Sequence, residues 1–468
     1  MAATNEEGRG NVSDFREFGH KLIDWVADYL ESPERYPVLS TVQPNEIVDG
    51  LPAHGPKQGE SLERIFEDFE RVILPGVTHW NHPNFLAFFA NTSSPPAVLA
   101  ELLAAALNAN GFLWKVSPAV TELEVVTLRW VLNWMGLPED WFGMILDTAS
   151  TSTLHAIAAA RAAMAPETRD AGAPQDLVVY TSDQAHSSVE KGAVALGFGR
   201  RNVRNVGSDE EFRMRPELLQ DAIERDRAAG LRPCCVVATV GTTSTTSIDP
   251  VPAIADIARR EGLWLHIDAA YAGSAAILPE YRWILNGCEN ADSLVFNPHK
   301  WLMVPVDCSV FYCRHPGVLR QAFSLVPEIL RTSDGGLNLM DYGIPLGRRF
   351  RALKLWFVLR YYGHEGLAAI IREQIAMTLE LAERIALDPR FEICAPTVFS
   401  VVCFRVRGSD LANRLLLDGI NGSGRFFISS TVVHGRFILR IAVGNMLTTR
   451  TTLEELWSLI DALVISSS

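Results

Sequence analysis

Apolar positions change their spacing along the chain, and each change marks a different kind of element. Phe15, Phe18, Leu22, Ile23, Val26 and Leu30 recur at helical intervals, which predicts an amphipathic helix from Asp14 to Leu30. Pro33 and Pro37 close it, and a stretch rich in proline and glycine runs on as a loop to Gly59. Residues 1 to about 12 read as a disordered tail. A second amphipathic helix begins at Ser61, which is placed to cap it, and helical patterns return at Ala97 to Leu107 and Ala119 to Met135. The first unit, residues 1–93, is therefore expected to be a helical arm. Such an arm must bury its apolar faces on something else, and a second subunit would serve.

Between about residue 140 and residue 350 the pattern becomes short apolar runs separated by helical segments. The runs are Leu177 to Tyr180, Cys234 to Val240, Leu263 to Ile267, Leu294 to Phe296 and Ser309 to Tyr312, and none contains a charged residue. Runs of this kind, with helices such as Pro252 to Arg260 between them, predict a mostly parallel sheet covered on both faces. The fold class is α/β, with functional residues expected at strand ends and in the loops that follow. This large domain is assigned to residues 94–352. A helix from Leu353 to Tyr362, strands at Val401 to Val406 and Phe437 to Val443, and a closing helix at Thr452 to Leu463 predict a smaller α+β domain over 353–468.

Composition narrows the function. The 468 residues include 42 Lys and Arg against 55 Asp and Glu, a net charge of −13, which argues against nucleic acid or an anionic membrane as partner. No unbroken apolar window is long enough to span a membrane; the most apolar stretch, Ala97 to Leu107, is interrupted by Glu101. The first residues lack the basic head and apolar segment of a secretory leader. Seven cysteines without a Cys-x-x-Cys pair point to buried thiols in a reducing compartment, the cytoplasm, and no metal site is expected.

Four segments carry candidate chemistry. Asn297-Pro-His299-Lys300-Trp301 follows a strand, where a desolvated lysine amine can condense with a carbonyl, although an ordinary surface lysine has the same composition. Asp268 ends the apolar run Leu263-Trp-Leu-His-Ile, a costly place for a carboxylate unless it meets a cation or caps a turn. A protonated pyridine nitrogen is one such cation. Asp147-Thr-Ala149-Ser150-Thr151-Ser-Thr precedes a helix from Leu154 to Met164; it could hold a phosphate or simply cap the helix. His186, in Ser182-Asp-Gln-Ala-His-Ser-Ser, follows another strand, where it could stack on a flat ring and exchange protons or be structural.

Together, Thr181 to Lys191, His266 to Ser274 and Asn297 to Trp301 resemble the matching blocks of the pyridoxal-phosphate-dependent group II decarboxylases, and most of all the aromatic L-amino acid decarboxylases. Pro75-Gly-Val-Thr-His79-Trp80, Ser117 to Glu124, Ile344 to Arg351 and Asp388 to Cys394 extend the resemblance over nearly the whole chain. It implies the aminotransferase-type fold (fold type I) and an obligate homodimer with shared active sites. Lys300 would hold pyridoxal 5′-phosphate as a Schiff base, with Asp268 on the pyridine nitrogen, His186 on one ring face and Ala270 on the other. Ala149, Ser150, Asn297 and His299 would surround the phosphate, and Thr243 would sit near the ring's substituents. Trp80, Phe88, Phe89 and Phe112 match positions around the side-chain pocket, with Phe112 coming from the partner subunit, and Gly347 leaves room for a ring. An aromatic amino acid is the implied substrate, and an amine with CO2 the implied products.

The chain departs from that pattern in two places. Asp147 and Thr151 stand where relatives usually carry glycine and an acidic residue. Ile329 stands where amine-forming members carry a tyrosine that donates a proton, and isoleucine has no proton to give. Relatives lacking that hydroxyl resemble aromatic acetaldehyde synthases, which use O2 and release aldehyde, ammonia and H2O2. Tyr342, downstream of Gly335-Gly336 in a loop expected to be mobile, is an alternative hydroxyl.

Overall fold

The charge-free runs form the centre of the molecule. A computed structural model describes residues 12–89, 92–325 and 335–466. Most of the expected N-terminal tail, and Ile329, lie outside these residues. A short strand β1 (Phe85–Leu86) precedes the main sheet. That sheet contains β2 (Phe142–Leu146), β3 (Leu177–Ser182), β4 (Val203–Val206), β5 (Arg232–Thr239), β6 (Trp264–Asp268), β7 (Ser293–Phe296) and β8 (Ser309–Cys313). Its seven strands lie in the order β2-β8-β7-β6-β5-β3-β4. Pairing is parallel from β4 through β3, β5 and β6 to β7, while β8 is antiparallel to both of its neighbours. Strands β3, β6, β7 and β8 are buried along their whole length, as a sheet covered on both faces requires.

A second sheet uses β9 (Phe391–Ile393), β10 (Val401–Val406), β11 (Phe427–Val433) and β12 (Arg436–Ala442). Its order is β1-β11-β12-β10-β9, so β1 from the N-terminal segment forms one edge, parallel to β11. Helix Asp410–Gly422 and helix Arg450–Ser466 supply apolar residues to the core beneath it. The two cores share one long helix, Arg351–Leu387, broken at Gly363, whose φ of 67° only glycine adopts readily. Leu355, Val358 and Ile371 of this helix join the core of the main sheet, whereas Met377, Leu381 and Ile385 join the second core.

Side-chain caps set some of the helix starts. Ser61 caps helix Leu62–Asp68 by accepting a hydrogen bond from the Arg64 amide at 3.2 Å. The loop expected up to Gly59 contains a further short helix, Glu46–Gly50. Helix Ala149–Met164 starts earlier than Leu154, because Thr148 accepts from the Thr151 amide and the hydroxyl run is itself the first turn. Between the main sheet and the segment after residue 335, Glu124 and Arg348 form a buried ion pair at 2.6 Å, and the same Glu124 oxygen accepts from the Ile145 amide at 2.7 Å.

Candidate active site

Parallel strands end on one side of the sheet, and there the polar residues converge. Thr239 is opposite Asp268 in the β5–β6 register, and Asp268 is opposite Val295 on β7. Lys300 lies in the short helix Pro298–Trp301 immediately after β7, with its amide bonded to the Asn297 carbonyl at 2.9 Å. His186 sits in the turn after β3, and helix Ala149–Met164 follows β2. These ends enclose a cavity of ≈ 200 Å³ whose lining includes Ala149, Ser150, His186, Thr243, Asp268, Ala270, Asn297, His299 and Lys300. All nine positions expected around a cofactor therefore share one cavity.

Electrostatics differ from residue to residue. Asp268 is buried, and among the described residues its carboxylate accepts one hydrogen bond, from the Ala270 amide at 3.0 Å. Lys300 has its pKa lowered, chiefly by burial; Asp268 opposes the shift and Arg440 adds to it. His186 also has a lowered pKa, because partial cover outweighs the opposing pull of Asp268, while Lys300 and Lys191 add to the lowering. The Ser188 amide donates to His186 Nδ1 at 3.2 Å, so the proton of the neutral ring sits on Nε2. His299 follows the same logic: the Cys308 amide donates to its Nδ1 at 2.8 Å, leaving Nε2–H as the donor. Burial pushes the His299 pKa down to about 4, so the ring is neutral at pH 7.

The cavity fits a flat, phosphorylated, cationic heterocycle. Asn297 Oδ1 and Thr239 Oγ1 are buried without a hydrogen-bond partner among the described residues. Helix Ala149–Met164 turns its N-terminus to the lining, where backbone N–H groups and the helix dipole favour an anion. A buried carboxylate with one backbone donor completes the set, and it suits a protonated ring nitrogen. Residues 44–407 match the family described as "Pyridoxal-dependent decarboxylase conserved domain".

The chain belongs to that family.

This decarboxylase is 46% identical to the aromatic-L-amino-acid decarboxylase of Bos taurus, with 92% of each chain covered. It is also 42% identical to the phenylacetaldehyde synthase of Arabidopsis thaliana, covering 97% of this chain and 98% of the other. A solved Oryza sativa TDC structure with PLP and tryptamine superposes with a TM-score of 0.95 at 38% identity, covering 98% and 99% of the two chains. The fold is the type shared by such pyridoxal-phosphate enzymes, and the cofactor of this decarboxylase is pyridoxal 5′-phosphate.

The aromatic residues expected around the substrate are distributed unevenly. Phe89 lines the cavity and stacks on Tyr271 with ring centroids 4.0 Å apart; Tyr271 in turn stacks on Trp301 at 4.8 Å. Trp80, Phe88, Phe112 and Gly347 do not line the cavity within this single chain. The Trp80 ring packs on Phe85 at 4.3 Å, Phe88 is exposed, and the Phe112 carbonyl accepts from the Met340 amide at 3.3 Å. Gly347 is open enough that an added Cβ would meet only Asn110, at 3.7 Å. Tyr342 is stacked on Phe142 at 4.5 Å and does not line the cavity within this single chain. Thr148, Thr239, Gly241 and Tyr271 also line the cavity without a role expected from the sequence, although Thr148 and Tyr271 adjoin Ala149 and Ala270.

Acid should weaken the fold through its histidines. Burial pushes His82, His155, His266 and His299 each down to about 4 from an ordinary 6.5. Between those values the unfolded chain binds more protons than the folded one, so stability is complete above about pH 6.5 and falls as pH drops toward 4. Each histidine contributes up to about 1.4 kcal/mol per pH unit in that window. Urea midpoints measured at pH 7, 5.5 and 4.5 should fall in that order, and a flat series would contradict the assignment.

Proposed function

We propose that the chain decarboxylates aromatic L-amino acids of the Trp, Phe, Tyr and DOPA class, giving an arylalkylamine and CO2. The observation that carries the reading is the meeting of Lys300, Asp268 and the N-terminus of helix Ala149–Met164 around one cavity with an aromatic wall at Phe89. Lys300 holds the cofactor through its side-chain amine, and Asp268 pairs with the ring nitrogen. His186 covers one ring face, Ala270 lies against the other, and Thr243 is near the substituents. Ala149, Ser150, Asn297 and the Nε2–H of His299 bind the phosphate.

When bound, pyridoxal 5′-phosphate supplies the electron sink that lets the α-carboxylate leave as CO2. The lowered pKa of Lys300 favours the neutral amine, so Nζ can accept and return a proton more readily than an exposed lysine. His186 presents Nε2–H because its Nδ1 is held by Ser188. Phe89 and Tyr271 exclude water from the wall beside Lys300 and offer an aromatic side chain a flat surface. Purified, cofactor-loaded protein should release CO2 from L-tryptophan or L-phenylalanine with stoichiometric amine; no CO2 from any of the four substrates would refute the reading.

Ile329 favours a second outcome, aromatic acetaldehyde synthesis. Loss of a positioned acid slows protonation by roughly 10²- to 10⁴-fold, which gives O2 time to react. In air, that chemistry yields aldehyde, ammonia and H2O2 in step with CO2. Ile329→Tyr is expected to raise the ratio of amine to aldehyde, read by product chromatography; an unchanged ratio would remove this position from control of the outcome.

The assembly we propose is a homodimer of three-part chains (1–93, 94–352 and 353–468) in which Phe112 reaches the partner's site. It is supported by large apolar side chains left exposed on the first helices, Phe15 at 66%, Leu99 at 49% and Leu107 at 63%. Light scattering at the monomer mass would overturn it. A cytoplasmic location is supported by the absence of disulfides and of any membrane-length apolar helix among the described residues.

A further inference from the structure

Phe88 and Phe89 are neighbours in sequence with opposite surroundings: Phe88 is exposed, while Phe89 lines the cavity. The turn between them depends on Phe88 having a φ of 53°, the left-handed region that a bulky residue enters only under restraint. Two hydrogen bonds supply that restraint. The Phe88 amide donates to Ser429 Oγ at 3.3 Å, and Arg440 Nη1 donates to the Phe88 carbonyl. Arg440 Nε also donates to the Ser244 carbonyl at 3.1 Å, next to Thr243. Its guanidinium lies 4.6 Å from the centre of the Phe89 ring, which also has Lys300 Nζ at 5.1 Å.

Arg440 is 4% exposed, and among the described residues it forms no ion pair. Among the described residues this buried cation is held by carbonyls, a hydroxyl and a ring, an expensive way to fill space. What the guanidinium adds is geometry: a rigid planar fork that reaches two backbone segments while stacking on a third group.

We propose that Arg440 is a positioning residue for the aromatic wall of the substrate pocket. By holding the Phe88 carbonyl it keeps Phe88 left-handed, which turns Phe89 inward against Tyr271 beside Lys300. Through Ser244 it fixes the segment carrying Thr243 relative to the same wall. This role rests on the aromatic-substrate reading above, since a fixed flat wall selects for rings.

Arg440→Lys, Arg440→Met and Ser429→Ala, assayed beside wild type, test the inference. Lysine keeps the charge without the fork, so both Arg440 variants should raise KM for L-tryptophan about tenfold, the scale of a lost pocket contact, with kcat changed less than about threefold. Ser429→Ala should shift KM in the same direction by less, and it keeps the test open if the Arg440 variants fail to fold. Crystal structures of the variants should show Phe88 out of the left-handed region and Phe89 displaced from Tyr271. A fall in kcat at constant KM, unaltered kinetics, or a variant structure with Phe88 still left-handed would overturn the assignment. If wild type turns over no aromatic amino acid, the functional reading fails, while the Phe88 backbone in the variants still decides the part played by Arg440.

Discussion

A Lys300→Ala protein is expected to release CO2 from L-tryptophan at least about 10⁴-fold more slowly than wild type, the scale on which loss of a group acting directly on the reacting atoms is felt. Lys300 is placed by two constraints. Strand β7 ends at Phe296, and the Asn297 amide is bonded to the Ala270 carbonyl at 2.9 Å, so the next turn projects the lysine into the cavity. Burial lowers its pKa, which favours the neutral amine that covalent attachment requires. Lys300→Arg keeps a cation there and should be as inactive, because a guanidinium stays protonated. Both proteins should also lack the yellow colour of the loaded wild type while keeping its urea midpoint. Turnover by either above a thousandth of the wild-type rate would remove Lys300 from its role.

Asp268→Asn should lower kcat by roughly 10²- to 10³-fold, the cost of losing a preorganised charge at the point where charge develops. The substitution is nearly isosteric at the end of β6, so the fold is expected to survive it. Its pH signature has a definite sign. The Asp268 carboxylate raises the pKa of both His186 and Lys300, in opposition to burial. Removing the charge therefore lowers both, and the acidic limb of the kcat/KM profile should move to lower pH. A profile with its acidic limb unmoved would mean that the carboxylate does not govern these groups.

The main sheet could be read from the sequence because its central strands are unbroken apolar runs bounded by polar turns; Cys234 to Val240 and Leu263 to Ile267 coincide closely with β5 and β6. The edge strand β4 escaped notice because Val203-Arg-Asn-Val is short and half polar, and only the ion pair of Arg204 with Asp226 at 2.6 Å shows why a charge is tolerated there. Strand β11 is hidden by Ser429, Ser430 and Thr431, three polar residues that are only partly buried. The long helix was read only to Tyr362 because Gly363 interrupts it, yet packing against both cores carries the chain through the break. At the site, Lys300, Asp268, His186 and their companions were legible as separate motifs. The contacts of Arg440 with Phe88 and Phe89 were not, since nothing near Phe88 in sequence announces Arg440.

The aromatic wall joins residues at opposite ends of the chain: Arg440 bonds to Phe88 across 352 residues, β1 pairs with β11, and Asn445 holds the Trp80 carbonyl. During vectorial synthesis the loop between these ends must close before any of those contacts can form. A nascent chain that has not yet reached Arg440 can hold every strand of its central sheet while this side of the pocket is missing. On the role proposed for Arg440, a product truncated before the final strands would be left without the surface that discriminates among amino acids.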